Sequence, residues 1–597
     1  MTAVIGFTWP PYHDTSVSLV VDGKLVFASE EERYTRHKHS ISEWPINAMI
    51  SALNFAKLEY NIAPGDIDAF AINYDPSLYS IAEKRSIRQV ELSHAGGLRL
   101  GGYRVPLDYL DKFRSMQTAT QGNFIASARK FIDYTFSKLA CTLSQEVKVY
   151  AVPHHLAHAA SAFYFSGFKS SAVIVVDGKG ENESTTIWRV RKDKFEKLVA
   201  IPWWRGSLGA IYEGVSMLLG FGALEGPGKV MGLAPYGTPD ENLRAKFDSI
   251  TGAQKDGRQY VFKKPLQKSA HYFESYRDLL TPLFKNEQLS DWDDGHRLRA
   301  GASNLAYELQ QFTEKGFISL AQDARDMSGE RNLCIAGGVA LNSKANMALH
   351  YSGLFDNFFV FPAANDAGTS AGAAAYVYVN ELGRKMHNSS LQDAYLGPIY
   401  KEEAIKNIVK KSRWNAEFIG ENGDLLAKLV SKGKIVGIFS SRSEFGPRAL
   451  GHRSLLADPT KKQTLSLMNE IKSREWWRPL APSLLKEQMG AYFHRPVEHK
   501  FMALMFKLLE GSEKRVPAVC HVDMTARPQM VNRKDNPLFY DIIKDFGSLS
   551  GEELVVNTSF NLAGEPLVES PVDALKSFGY GGIDALYLDG WLIEKNK

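Results

Sequence analysis

The chain has 597 residues, 44% of them hydrophobic and 23% charged, and its 71 lysines and arginines exceed its 67 acidic residues by only four. That length allows two or three domains with cores of their own, and the near balance of charge, with no dense basic run, argues against nucleic acid as the leading partner. No uninterrupted apolar run reaches membrane-spanning length, and the N-terminus enters Val4-Ile5-Gly6 without a signal-like core, so neither secretion nor membrane insertion is expected. Cys141, Cys334 and Cys520 lie far apart without Cys-x-x-Cys spacing, which fits a reducing cytoplasm.

In chain order, residues 3–8 and 16–28 read as strands, the second folding back at Val21-Asp22-Gly23-Lys24, where Asp-Gly favours a tight hairpin. Between them lies the polar loop Tyr12-His13-Asp14-Thr15-Ser16. A strand, a polar loop and a hairpin open the actin-like ATPase and sugar-kinase fold, as they open many other α/β proteins. A helix over 43–58, a strand over 68–72 and a charged, mostly helical insertion over roughly 78–145 follow. A strand near 147–152 then leads into His154-His155-Leu156-Ala157-His158.

On a helix, His154 and His158 fall one turn apart on the same face, and the apolar run Val173-Ile174-Val175-Val176 delivers Asp177 at the end of a buried strand. Two imidazoles and a carboxylate suit Fe(II), Mn(II) or Zn(II) and leave coordination positions open, as a catalytic site requires. A lone His-x-x-x-His is as often a packing or capping feature. A second round of strands starting at Ala172 suggests a duplicated α/β architecture.

Helices are expected near 208–220, 240–250 and 301–325. The glycine-dense segment Gly226 to Gly237 carries Lys229, placed either to neutralise a phosphate or simply within a packed turn. At Leu333 to Asn342 a strand turns abruptly into a helix through Gly337-Gly338, where backbone N–H groups suit a nucleotide phosphate. Asp366, at the start of a small-residue helix, is a fourth ligand or a helix cap. The polar stretch at 383–390 precedes a boundary, and the second domain is placed from about 395 to the end. It carries arginines in glycine and aromatic contexts, Arg448 and Arg453, then Arg474 and Arg478, then Arg527, whose forks suit a small dianion.

Taken together, His13-Asp14, Glu31-Glu32-Arg33, the His154-to-His158 helix, Asp177-Gly178, Lys229 to Gly237, Gly337 to Asn342, Phe445 to Ser454, Arg478-Pro479 and Asn557 to Asn561 resemble the O-carbamoyltransferase family. That family includes the nodulation-factor and cephamycin carbamoyltransferases and aminoglycoside- and ansamycin-tailoring relatives. The resemblance covers nearly the whole chain. It implies an actin-like (ASKHA-type) duplicated domain over 1–394, similar to the universal tRNA threonylcarbamoyl transferase, and a YrdC-like α/β domain over 395–597.

The resemblance also implies a division of labour. The C-terminal domain would take phosphate from carbamoyl phosphate and join the carbamate to ATP, bound with Mg, as carbamoyl adenylate. The N-terminal domain would then pass the carbamoyl group to a hydroxyl of a small natural product, an antibiotic, toxin or oligosaccharide. Residue by residue, Lys472, Arg478, Arg527, Asn557 and Ser559 match the carbamoyl-phosphate site, with Arg448 beside them, and Lys472 and Arg478 are its catalytic cations. His154, His158, Asp177 and Asp366 match the metal ligands, for which Fe(II) is expected. Lys229, Gly337, Gly338 and Asn342 are the expected nucleotide contacts, and His13 is the candidate base for the acceptor hydroxyl, against a role as a loop histidine that merely bonds its turn. The expected setting is cytoplasmic, without nucleic acid or membrane partners, and a homo-oligomer is compatible with the sequence. An N-carbamoyl or tRNA threonylcarbamoyl transferase and a non-catalytic nucleotide-binding regulator are the competing readings.

Overall fold

The computed structural model describes residues 1–9, 13–78, 99–100, 103–104, 121–144, 146–251, 260–267, 272–285, 287, 300–387, 390–412 and 414–595. Most of the expected insertion at 78–145 lies outside the described residues; its described part ends in a helix over Gln121–Lys138. The chain divides into two compact units. One comprises Met1–Thr35 and His39–Leu391, the other Arg36–Lys38 and Gln392–Lys597.

The first unit holds two five-stranded sheets. In one, β1 (Ala3–Phe7), β2 (Ser16–Val21), β3 (Lys24–Glu30), β4 (Ala69–Ile72) and β5 (Lys148–Ala151) run in the order β3-β2-β1-β4-β5. In the other, β6 (Ser170–Val176), β7 (Glu183–Arg191), β8 (Lys194–Pro202), β9 (Asn332–Ala336) and β10 (Asn357–Val360) run in the order β8-β7-β6-β9-β10. Both begin with an antiparallel meander of three strands and add two strands parallel to the first. Identical wiring in both sheets is the duplication that the actin-like fold requires. The turn between β2 and β3 places Asp22 at φ 44° and Gly23 at φ 77°, the geometry a two-residue hairpin demands.

β1 is fully buried, as a strand covered on both faces must be. One of its faces lies against the helix over Gly368–Tyr376, and the approach is too close for side chains. A Cβ at Gly6 would fall 2.0 Å from the Ser370 carbonyl oxygen, and one at Gly372 would fall 1.8 Å from that of Ala157. Alanine, glycine and serine in this helix therefore let it contact β1 on one side and the histidine-bearing helix, His154–Tyr164, on the other.

The second unit is built on an eight-stranded mixed sheet of β11 (Asn415–Phe418), β12 (Val436–Phe439), β13 (Arg453–Ala457), β14 (Ala481–Leu485), β15 (Gln529–Val531), β16 (Leu554–Ser559), β17 (Ala585–Leu588) and β18 (Trp591–Glu594). Their order is β11-β18-β17-β12-β13-β16-β14-β15. The helices Gly423–Ser431 and Pro537–Ser550 bury Leu426, Val430, Ile542 and Phe546 in one core with Val436 and Val555 of the sheet. Among the described residues, no helix is long and apolar enough to cross a membrane.

Candidate functional site

Let α1 be the helix His154–Tyr164, α2 Leu208–Leu218, α3 Gly226–Leu233, α4 Ser343–Ser352 and α5 Gly368–Tyr376. α1 starts at His154, so both histidines of the i,i+4 pair lie in its first two turns, where they are fully buried. β6 delivers Asp177, and the turn before α5 delivers Asp366. The Asp366 carboxylate is not the cap of α5, which starts at Gly368 after Ala367 without a side-chain cap.

The four residues converge. His154 Nε2 lies 3.1 Å from His158 Nε2, 3.1 Å from Asp177 Oδ2 and 3.5 Å from Asp366 Oδ1. His158 Nε2 lies 3.5 Å and 3.6 Å from the same two oxygens. A tetrahedral ion with ligand bonds of about 2.1 Å sets its donor atoms ~3.4 Å apart, so the spacing and the nitrogen and oxygen chemistry both fit a divalent metal. Both Nδ1 atoms are buried without hydrogen-bond partners, leaving Nε2 as the nitrogen each ring presents to the cluster.

The electrostatics agree. Burial alone would lower the His154 imidazole, but Asp366 and Asp177 outweigh it and push it up to about 10. Burial would raise Asp177, yet the two histidines hold it well below the usual carboxylate range. His155 faces elsewhere: it pairs with the Thr186 hydroxyl at 3.0 Å, and burial beside His154 keeps it neutral.

Asp177 is aimed by backbone. Its Oδ1 accepts from the N–H of Gly178 at 2.9 Å and of Gly338 at 3.2 Å, which leaves Oδ2 for the histidines. Gly337 stands at φ 89°, and a Cβ there would fall 2.2 Å from the Val176 carbonyl oxygen. The diglycine expected to contact a nucleotide phosphate thus closes on the end of β6, and Gly338 orients a ligand of the cluster. Of the other two expected nucleotide contacts, Asn342 caps α4 by accepting from Ala345 N at 3.0 Å and pairs with Gln310. Lys229 sits on α3 with its ammonium 5.8 Å from the Phe221 ring centre. The glycine-dense segment around it is helical over Gly226–Leu233, and Gly226 packs where a Cβ would meet Ser216 Oγ at 1.9 Å.

His13 lies on the loop between β1 and β2 with its side chain 32% exposed, and its Nδ1 is 2.9 Å from Asp14 Oδ2. Burial would lower this imidazole; the hydrogen bond and charge of Asp14, backed by the charges of Asp366 and Glu213, push it up to about 10. His13 is thereby within electrostatic reach of the cluster. So is Glu213 on α2, a carboxylate that burial pushes up to about 7. Nothing around Glu213 in the sequence marks it: it occupies an ordinary turn of a mostly apolar helix.

In the second unit a set of cations gathers. Lys472, just past the helix Gln463–Ile471, is buried and donates to Ser559 Oγ at 2.9 Å and Asn561 Oδ1 at 2.6 Å. Burial, then Arg474 and Arg478, holds its ammonium well below the usual range. Burial and Arg478 push Arg448 down to about 10 and Arg474 to about 9, and burial with Arg448, Arg478 and Arg474 lowers Arg527. Arginines remain charged at neutral pH, so much of this repulsion stands, with the Glu475 carboxylate 3.8 Å from Arg478 offsetting part of it. Asn557 differs from expectation in that its amide N–H groups are all spent inside the fold, on Ala449 O, Ser483 Oγ and Gln529 Oε1 at 2.9–3.1 Å; only its Oδ1 is without a partner. Arg474, one of the arginines whose context suits a small dianion, belongs to this charge cluster although the family resemblance assigns it no role. Arg453 does not: it is buried, bonded to the carbonyls of Ser440, Ser441 and His452, and lies over the Phe439 ring.

A metal-type donor set on a duplicated actin-like unit and a cluster of cations on a separate α/β unit suit a group-transfer enzyme with an anionic donor. Residues 4–375 match the family described as carbamoyltransferase N-terminus, and residues 427–595 match carbamoyltransferase C-terminus. The chain belongs to the carbamoyltransferase family and is an enzyme that transfers carbamoyl groups. It is 32% identical to an uncharacterized Synechocystis sp. protein, over all of this chain and 97% of that one. It is 31% identical to nodulation protein NolNO of Sinorhizobium fredii, over 98% of this chain and 79% of that one, and 27% identical to nodulation protein U of Rhizobium tropici, over 98% and 95%. Among solved structures, full-length HypF in its phosphate- and nucleotide-bound form aligns over 64% of this chain and 56% of its own, at 12% identity and a TM-score of 0.33.

Proposed function

We propose that the protein is an ATP-dependent O-carbamoyltransferase that draws its carbamoyl group from carbamoyl phosphate, passes through carbamoyl adenylate, and carbamoylates a hydroxyl of a small natural product. The observation that carries this reading is the cluster of Lys472, Arg448, Arg478 and Arg527, four cations packed closely enough to repel one another in a family that moves a carbamoyl group. Carbamoyl phosphate is a compact dianion, and guanidinium forks hold phosphate oxygens bidentately.

In this reading the cations hold the phosphate and stabilise the charge that develops as its bond to the carbamoyl carbon breaks. Ser559, bonded to Lys472, fixes the ammonium that faces the leaving phosphate. Water takes the place of the departing phosphate at the carbamoyl carbon and gives carbamate, whose oxygen attacks the α-phosphorus of ATP and displaces pyrophosphate; the resulting carbamoyl adenylate gives its carbamoyl group to the acceptor hydroxyl with loss of AMP. His154, His158, Asp177 and Asp366 would hold a divalent ion, for which we propose Fe(II), and that ion supplies Lewis-acid polarisation when bound. His13 is the proposed base for the acceptor hydroxyl. It must be neutral to act, and the charge of Asp366 is among those that hold its proton, so compensation of that carboxylate favours the reactive form.

The test is phosphate and pyrophosphate release by purified protein given ATP, carbamoyl phosphate and Fe(II), with carbamoyl adenylate sought by mass spectrometry. Release of both products with the adenylate present supports the reading. Carbamoyl-phosphate-independent pyrophosphate release, or no release at all, would sink it.

A further inference from the structure

His13 does not stand alone on its loop. The Asp14 carboxylate is gripped by two imidazoles: Oδ2 lies 2.9 Å from His13 Nδ1, and Oδ1 lies 2.8 Å from His39 Nδ1. The backbone closes the same ring, since Asp14 N–H donates to the His39 carbonyl at 2.6 Å and His39 N–H donates to Glu32 Oε2 at 2.7 Å. Both residues pay for this arrangement in conformation: Asp14 stands at φ 55° and His39 at φ 65°, with Ser40 beside it at φ 42°. Left-handed backbone at non-glycine residues costs on the order of 1 kcal/mol or more each and persists where the surroundings enforce it.

An ionised carboxylate only accepts hydrogen bonds, so each imidazole must carry its proton on Nδ1. For His13 that fixes the tautomer: Nδ1 is the permanent donor and Nε2 is the nitrogen available to exchange a proton. His39 has its Nε2 buried without a hydrogen-bond partner, so its ring is held through Nδ1 alone. Its side chain is 21% exposed, against 32% for His13, in keeping with a supporting part and a working part.

We infer that Asp14 is the positioning residue of His13 and His39 the positioning residue of Asp14, a two-imidazole clamp that leaves His13 Nε2 as the proton acceptor. This rests on the proposed role of His13 in transfer, but the tautomer is measurable without turnover. The logic matches that of serine proteases, in which replacing the orienting aspartate by asparagine keeps the geometry and leaves the histidine in the wrong tautomer.

The experiment is long-range ¹⁵N–¹H NMR of the full chain, loaded with diamagnetic Zn(II) and labelled at histidine, with the His13 signals identified by their loss in His13→Gln. The wild type is expected to show the Nδ1–H tautomer above the His13 midpoint. Asp14→Asn, whose amide can donate to Nδ1, is expected to switch His13 to the Nε2–H form, and His39→Ala to give a mixture of both. Should Asp14→Asn not fold, the His39→Ala mixture carries the test. Unchanged His13 tautomer in every folded variant overturns the inference. Carbamoyl-phosphate-dependent pyrophosphate release by the wild type is measured alongside: its absence refutes the functional reading while the tautomer result still stands, and its presence with an unmoved tautomer refutes the clamp alone.

Discussion

The Nε2 atoms of His154 and His158 face each other at 3.1 Å in a fully buried site. Two neutral imidazoles in that pose bring two lone pairs together unless one carries a proton, and two imidazolium ions would repel. A cation between them, shared with Asp177 Oδ2 and Asp366 Oδ1, resolves the conflict. Purified protein is therefore expected to carry about one divalent ion per chain by elemental analysis, and His154→Ala or His158→Ala to retain almost none. Removal by a chelator should lower the melting temperature, since an ion present at a hundredfold excess over its dissociation constant contributes about 2.7 kcal/mol to the folded state. Full retention of metal by both variants would show that the four residues are not the ligands.

Arg478 is a cause of the depressed basicity of Arg448, Arg474, Lys472 and Arg527 alike. Its removal has two consequences. Without a bound anion, Arg478→Ala relieves repulsion among the cations while losing the contact with Glu475 at 3.8 Å, so its melting temperature should stay close to that of wild type. With carbamoyl phosphate, release of phosphate should fall by about 10²-fold or more, the scale seen when one donor to a developing oxyanion is lost. Added salt should raise the melting temperature of the ligand-free wild type by screening the same repulsion, and do less for the variant. A variant that releases phosphate at the wild-type rate would remove Arg478 from the site.

Two buried histidines of the second unit predict an acid limb of stability unconnected with the candidate metal cluster. Burial lowers His452 to about 4, despite its Nδ1–H bond to the Arg442 carbonyl at 2.7 Å, and lowers His499 to about 4 as well. Their folded pKa values lie below the unfolded value near 6.5, so between those limits the unfolded chain binds more protons. Stability is then complete above about 6.5 and declines as pH falls toward 4, by roughly 3 kcal/mol per histidine. Urea melts across that range should show the decline, and a His499→Gln variant should show a shallower one. A His499→Gln profile as steep as that of the wild type would mean that His499 is not protonated less readily in the folded state.

The convergence of the four residues was legible because each member ends or begins a strongly patterned element: the helical spacing of His154 and His158 and the apolar run before Asp177 encode both face and position. The hairpin at Asp22-Gly23 was legible for the same reason, since the turn chemistry is local. What escaped depends on contacts between distant segments. Gly338 reads as an anion-binding turn until Asp177 is seen to occupy its N–H. Asn342 reads as a ligand contact, whereas it caps a helix and meets Gln310, 32 residues away. His39 carries no motif, and only the fold brings it to Asp14.

Gly372 supplies the sharpest test of how the fold builds the candidate metal centre. A Cβ there would lie 1.8 Å from the Ala157 carbonyl oxygen and 2.7 Å from Ser161 N, both in α1, the helix that holds His154 and His158. The obstacle is backbone on both sides, because α5 is also pressed against β1, where a Cβ at Gly6 would meet Ser370 O. No rotamer can relieve such a clash, so α5 must move away from α1. Asp366 enters α5 two residues before its first turn and moves with it, while His154, His158 and Asp177 stay behind. Overpacking costs about 1–3 kcal/mol where side chains can yield, and more is expected here. Gly372→Ala should therefore lower the melting temperature and also weaken metal binding, by about 10- to 100-fold, the range typical of misplaced support around a ligand. A second substitution, Gly228→Ala, is the control, because a Cβ at that helical glycine meets nothing within 4 Å. If Gly372→Ala lost stability but bound metal as tightly as wild type, the contact would be a packing feature of the sheet and helix layers and not the element that sets the position of Asp366.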